Sequence, residues 1–181
     1  MPGRVNEKLR QELLAMVTRD QAMQMDPKLN PMDAGRDARI KATYRANNQR
    51  LGGIFKQFGW PGVSLVGKDG SNAVWLLVQH ADEDKPLQRQ ALKLLEEAVR
   101  KGEATKPNLA YLTDRVRINA GQKQVYGTQL DWPDADHPRP KPTEDPANLN
   151  KRRAAMGLPS IEEYLKSSLE AMKEIRKRLK Q

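Results

Sequence analysis

The stretch 72-NAVWLLVQHAD-82 is an almost unbroken apolar run that ends abruptly in Gln79, His80 and Asp82. Val74, Trp75, Leu76, Leu77 and Val78 leave no solvent face, so the segment reads as a buried helix. It delivers one of only two histidines in the chain beside an amide and a carboxylate. Such polar groups must find partners inside the protein. A functional site is built this way, and so is an ordinary buried hydrogen-bond network.

Outward from this run the pattern stays helical. Val5, Leu9, Leu13, Met16 and Val17 are spaced by threes and fours, predicting an amphipathic helix over 5–24. Residues 26–35, DPKLNPMDAG, read as a loop. A second helix over 37–58 carries Ile40, Tyr44, Leu51, Ile54, Phe55 and Phe58 on one face, and Gly59-Trp60-Pro61-Gly62 stops it. Pro86 suits the first turn of a further helix that ends at Gly102.

Residues 108–113 read as a short helix leading into two short strands, 115–119 and 124–128, about a turn at Ala120-Gly121. Residues 131–147 hold five prolines without periodicity and read as an extended, solvent-facing strap. The last helix, within 160–181, opens on Ser160 with Glu163 three residues on, a capping-box signature, and carries a stripe from Ile161 through Leu165, Leu169, Met172 and Ile175 to Leu179. The expectation is a mainly α, compact helical domain spanning 1–181, with a small two-stranded β-hairpin.

Composition narrows the chemistry. The 181 residues contain no cysteine, which excludes disulfides, a thiolate nucleophile and a Cys-based zinc site. No stretch approaches the roughly 20 apolar residues of a membrane helix, so the expectation is a soluble, cytoplasmic protein without a membrane partner. The net charge is +9. Residues 150–181 hold nine Lys/Arg against four Glu, so over half of that excess sits in this terminal segment, which includes the basic terminal helix. Glu162, Glu163, Glu170 and Glu174 interrupt it and no aromatic series accompanies it, which favours a solvated charged face over nucleic-acid binding.

The sharpest signals are polar residues where the helical pattern expects apolar ones. Asp20 follows Met16 by four and Val17 by three. Asn47 and Asn48 fill the gap between Tyr44 and Leu51. His80 follows Leu77 by three, and Gln79 follows Trp75 by four. Three helices thus send a carboxylate, amides and an imidazole toward one interior, and departures of this kind concentrate at functional sites. Each has a plainer reading: capping for Asp20, solvated or backbone-bonded amides for the asparagines, a satisfied core histidine for His80. His80 and Asp82 stand two apart, on different sides of a helix, and His137 falls in the strap, so no metal is expected. Neither a GxSxG elbow nor Walker spacing is present.

Several blocks recur in order along the chain: Asp20-Gln21, 59-GWP-61, Val66-Gly67, 75-WLLVQHAD-82, Gln88, 110-AYLTDRV-116, 124-QVYGTQ-129, 144-EDP-146 and 152-RRAAMGL-158. Together they resemble a bacterial protein family of unknown function over roughly residues 9–165. The resemblance implies no activity. It does gather Asp20, Gln79, His80, Asp82, Asp114, Arg115, Gln124, Tyr126 and Gln129 among its blocks. Asp114-Arg115 would enter the expected hairpin and 126–129 would leave it on the same side, so both can line one concavity. Arg115 then serves as a structural ion pair or as a clamp for an anion.

The resulting expectation is an enzyme acting, without cofactor, on a small polar or anionic substrate. His80 is the general acid/base, oriented by Asp114 or Asp20, with Gln79, Arg115, Gln124, Tyr126, Gln129 and Asn48 as substrate contacts. The alternative is a non-catalytic binding or regulatory module that offers its C-terminal helix to a protein partner.

Overall fold

The computed structural model describes residues 5–25 and 34–179. Most of the loop expected over 26–35 lies outside these, as does the side chain of Leu179. The chain is mainly α-helical, with seven α-helices and one two-stranded antiparallel sheet among the described residues. It divides into two compact units, Met1–Asn108 and Leu109–Gln181.

In the first unit α1 (Glu7–Met25), α2 (Ala34–Phe58), α3 (Val63–Gln79) and α4 (Lys85–Arg100) enclose one core. Leu9, Leu13 and Met16 of α1 meet Leu51, Ile54 and Phe55 of α2, Val74, Leu77 and Val78 of α3 and Leu87, Ala91 and Leu95 of α4, all buried. Each fully buried aliphatic side chain contributes about 1.5–3 kcal/mol. The apolar run of α3 lies inside as expected, with Trp75 and Leu76 half-buried and Asn72 facing water. Trp75 donates its indole N–H to the Asn108 carbonyl at 3.0 Å.

Two glycines shape α3. At Gly62 a side chain would collide with Glu103, whose carbonyl and carboxylate accept from the Val63 and Ser64 amides at the helix start. Gly67, at φ 74° and ψ 170°, breaks the helix after its first turn. Beside the break the Arg10 guanidinium holds Asp69 in a two-pronged pair, Nε to Oδ1 at 2.9 Å and Nη2 to Oδ2 at 2.5 Å. The far end of α3 is fixed by buried Gln88, which donates to the Val78 carbonyl at 3.1 Å and to Asp82 Oδ1 at 3.2 Å. α4 starts as its sequence suggests: Asp84 caps the Leu87 amide at 3.0 Å, and Pro86 sits in the first turn.

α5 (Lys106–Asn119) begins in the first unit and continues into the second. The strand expected over 115–119 is its C-terminal portion. The alternation of Val116 and Ile118 is too short to oppose a helix that no Gly or Pro interrupts before Gly121. The second expected strand, 124–128, is a tight loop. The antiparallel pair lies later, β1 (Leu130–Asp131) with β2 (Arg139–Pro140), starting one residue before the segment read as an extended, solvent-facing strap. Strands of two residues are too short to show a period. A 3-10 turn (Pro146–Asn148) leads into α6 (Leu149–Ala155), which the sequence reading did not separate, and α7 (Ile161–Leu179) follows. Its capping box forms in both directions, the Glu163 amide to Ser160 Oγ at 3.2 Å and the Ser160 amide to Glu163 Oε2 at 2.9 Å.

Two measurements check this framework. Gly67→Ala places a side chain at a backbone conformation essentially reserved for glycine, and should lower the unfolding free energy by about 1–3 kcal/mol in urea titrations followed by circular dichroism. Hydrogen bonding to Arg10 holds the Asp69 carboxyl down to about 2, against an ordinary 3.8. A depressed folded value means this stabilisation is fully present above 3.8 and lost as the pH falls to about 2. The stability difference between wild type and Asp69→Asn should therefore close across that interval.

Candidate functional site

The end of α3 delivers His80 into a bridge-region conformation, φ −89° and ψ 0°, where its amide still bonds the Leu77 carbonyl at 3.2 Å. Its ring Nδ1 stands 2.6 Å from Oδ2 of Asp20, which comes from the last turns of α1 and is 1% exposed. Tyr44 of α2 sets its ring 5.8 Å from the imidazole at a tilt of 32°. Helices α1 and α3 therefore meet at this pair, and α2 reaches it through Tyr44, which was read as part of the apolar stripe.

The chemistry follows from the donor inventory. An ionised carboxylate only accepts, so Asp20 accepts a hydrogen bond from Nδ1–H and leaves Nε2 as the basic nitrogen of the neutral ring. The side chain of His80 is 17% exposed, against 1% for Asp20. His80 lines an open cavity of about 320 Å³. That lies at the small end of ligand pockets, which run from roughly 300 to 1,000 Å³. Asp37, Ile40, Lys41 and Tyr44 form the α2 wall, and Asp82 and Glu83 join His80 from the α3–α4 connection. Lys41 Nζ reaches Glu83 at 3.6 Å.

Gln79 and Asn47 are buried at 6% exposure each, and Gln79 Nε2 and Asn47 Nδ2 meet no acceptor among the described residues. Asn48 is half-buried and does not line the cavity. Sequence reasoning missed Tyr44 as a site residue, taking it for the apolar stripe, and passed over Asp37, Lys41 and Glu83. Their signal was the i, i+4 spacing from Asp37 to Lys41, one turn before Tyr44. Among the described residues, no group of three or more His, Asp or Glu side chains is placed to hold a metal ion, and no helix is long and apolar enough to cross a membrane.

The other expected residues gather in the second unit. Asp114 is fully buried in α5 and accepts from the amides of Val125 (2.7 Å), Tyr126 (3.0 Å) and Thr128 (2.9 Å) and from the Thr128 hydroxyl (2.9 Å). This carboxylate organises the 124–129 loop, and the partner of His80 is Asp20. Gln124, fully buried, donates to the carbonyls of Gln129 and Lys141 and accepts from the Gln129 amide at 2.9 Å. Arg115 Nη1 lies 3.4 Å from Gln129 Oε1.

From α6, Arg152 donates to the Val125 carbonyl at 2.9 Å, and fully buried Arg153 donates to the Tyr126 and Pro159 carbonyls at 2.7 Å each. The Arg153 guanidinium stacks 4.9 Å from the Tyr164 ring centre, and burial lowers its basicity. Burial likewise pushes the Tyr164 hydroxyl up, while that hydroxyl donates to the Thr128 carbonyl at 2.9 Å. Gln124, Tyr126, Gln129 and Arg115 thus belong to an arrangement around Asp114 in the second unit.

The chain belongs to a family of unknown function, DUF6624, whose family model matches residues 7–176. No curated protein and no solved structure matches it.

The two buried carboxylates should respond differently to substitution. Asp114→Asn turns an acceptor toward amide donors into a donor, removing hydrogen bonds of about 1.5–3 kcal/mol each. It should strongly destabilise the second unit and expose the 125–128 amides to hydrogen exchange. Asp20→Asn keeps an acceptor for Nδ1 and should cost under about 1.5 kcal/mol, whereas His80→Ala removes one donor from the buried Asp20 carboxylate and should cost about 1–3 kcal/mol.

Proposed function

We propose that this chain is an enzyme in which His80 is the general acid/base and Asp20 its positioning residue, acting on a small polar substrate in the cavity between α2 and the α3–α4 connection. The observation that carries the reading is the 2.6 Å contact of His80 Nδ1 with the buried Asp20 carboxylate at the wall of that cavity. A carboxylate behind the imidazole fixes its tautomer and stabilises the imidazolium that forms when Nε2 takes a proton. His80 Nε2 withdraws a proton from the substrate or from water and returns it later in the cycle. The reaction needs neither thiol nor metal in this scheme. We place it in a bacterial cytoplasm, in keeping with the sequence resemblance.

A second reading keeps the C-terminal helix as a docking element for a protein partner. It draws on the half-exposed stripe of Leu165, Leu169 and Met172 and on Ile175, which is 47% exposed. Light scattering over a range of concentrations, alone and with extract proteins, tests it separately.

The enzyme reading is tested by incubating wild type, His80→Gln and Asp20→Asn with a metabolite extract and following each species by mass spectrometry. The expected result is consumption of a polar metabolite by wild type, slowed about 10²–10⁴-fold in His80→Gln and less in Asp20→Asn, all three folded by circular dichroism. Equal turnover by wild type and His80→Gln would overturn it.

A further inference from the structure

We infer that Gln88 is a second positioning residue of the His80 site: its buried amide fixes the turn that carries the imidazole, as Asp20 fixes the ring. The inference rests on the proposed reading of His80 as the acid/base. It adds to that site a residue that the sequence offered only as one member of a recurring block.

The place of Gln88 in its helix is already unusual. α4 buries Leu87, Gln88, Ala91, Leu95 and Ala98. Gln88 stands three before Ala91 and seven before Leu95, on the face that meets the core, where an apolar side chain would pack without needing partners. At 1% exposure its amide must find partners inside the protein. It finds them on either side of His80. Nε2 donates to the Val78 carbonyl at 3.1 Å and to Asp82 Oδ1 at 3.2 Å, so one group holds the residue two before the histidine and the residue two after it.

The backbone of the turn is paired without this amide. The Val78 carbonyl already accepts from the Ala81 amide at 3.1 Å, and the Ala81 carbonyl accepts from the Asp84 amide at 2.9 Å. What these local bonds do not supply is a link from the turn to the body of α4. α3 ends at Gln79 and α4 starts at Lys85, which leaves His80 just past a helix end, in a bridge-region conformation. Misplacing a reacting group by about 1 Å can cost about 10²-fold in rate. Gln88 restrains that freedom by tying both flanks of His80 to a helix whose Leu87, Ala91 and Leu95 are anchored in the core. His80 and Asp82 both line the cavity, so the same amide also sets the carboxylate's place on that wall relative to the ring.

Gln88→Met tests this, because methionine keeps the length of the buried side chain and removes both donated bonds. Leu95→Val, further along the same face of α4, controls for a general loss of stability. Long-range proton–nitrogen correlation of histidine-labelled full-length protein reads the His80 ring, and consumption in the metabolite extract reads turnover. In Gln88→Met the neutral ring should share its proton between Nδ1 and Nε2, and consumption should slow about 10- to 10²-fold. Leu95→Val should keep the ring signals and the rate of wild type. A wild-type ring in Gln88→Met, or the same change of ring in Leu95→Val, would overturn the inference. Should Gln88→Met not fold, Gln88→Asn, whose amide is one methylene shorter, takes its place with the same outcomes. Equal turnover by wild type and His80→Gln is a separate failure: it removes the base reading, and the ring signals still decide whether Gln88 holds the histidine.

Discussion

A carboxylate withdrawn from water must be met by donors, and this constraint organises both halves of the chain. Asp20 and Asp114 are 1% and 0% exposed, and each is answered in its own way. Around Asp114 the answer is backbone: three amides and a hydroxyl from a six-residue loop point at one side chain. A loop that donates its amides inward leaves its carbonyls to be satisfied elsewhere. Arg152, Arg153 and Tyr164 take three of them, so α6 and α7 are tied to the same loop. Around Asp20 the answer includes an imidazole, whose second ring nitrogen is left to take up and hand on a proton.

That difference separates architecture from chemistry. A carboxylate saturated by fixed amides is an anchor, because displacing it breaks several charge-assisted bonds together. A carboxylate paired with a histidine supports a ring that can alternate between neutral and charged forms. The second unit therefore reads as a structure built around Asp114. The first places His80 at the edge of a cavity, with acidic side chains, Lys41 and Tyr44 completing the wall.

Much of this was legible in the residues. The periodicity of 5–24, 37–58 and 86–102 marked helices, and the polar intrusions at Asp20 and His80 marked their meeting point, because a buried polar group violates a pattern that is otherwise strict. Other features carried no period to read. The hairpin was misplaced since β1 and β2 are two residues each, and α6 is only seven residues long. Asp114 was offered beside Asp20 as a partner for His80, and helical spacing does not show that its carboxylate accepts from the amides of its own 124–129 loop. Tyr44, Asp37, Lys41 and Glu83 were hidden for a different reason. Aromatic and charged residues are ordinary on an amphipathic helix, and only packing shows which of them border a cavity.

The central claim concerns one proton. Long-range proton–nitrogen correlation of histidine-labelled protein reports which ring nitrogen carries it. In the neutral ring of His80 the proton should reside on Nδ1, directed at Asp20, with Nε2 unprotonated. A neutral ring protonated on Nε2 would mean that Asp20 donates rather than accepts, and would contradict the assignment of Nε2 as the base.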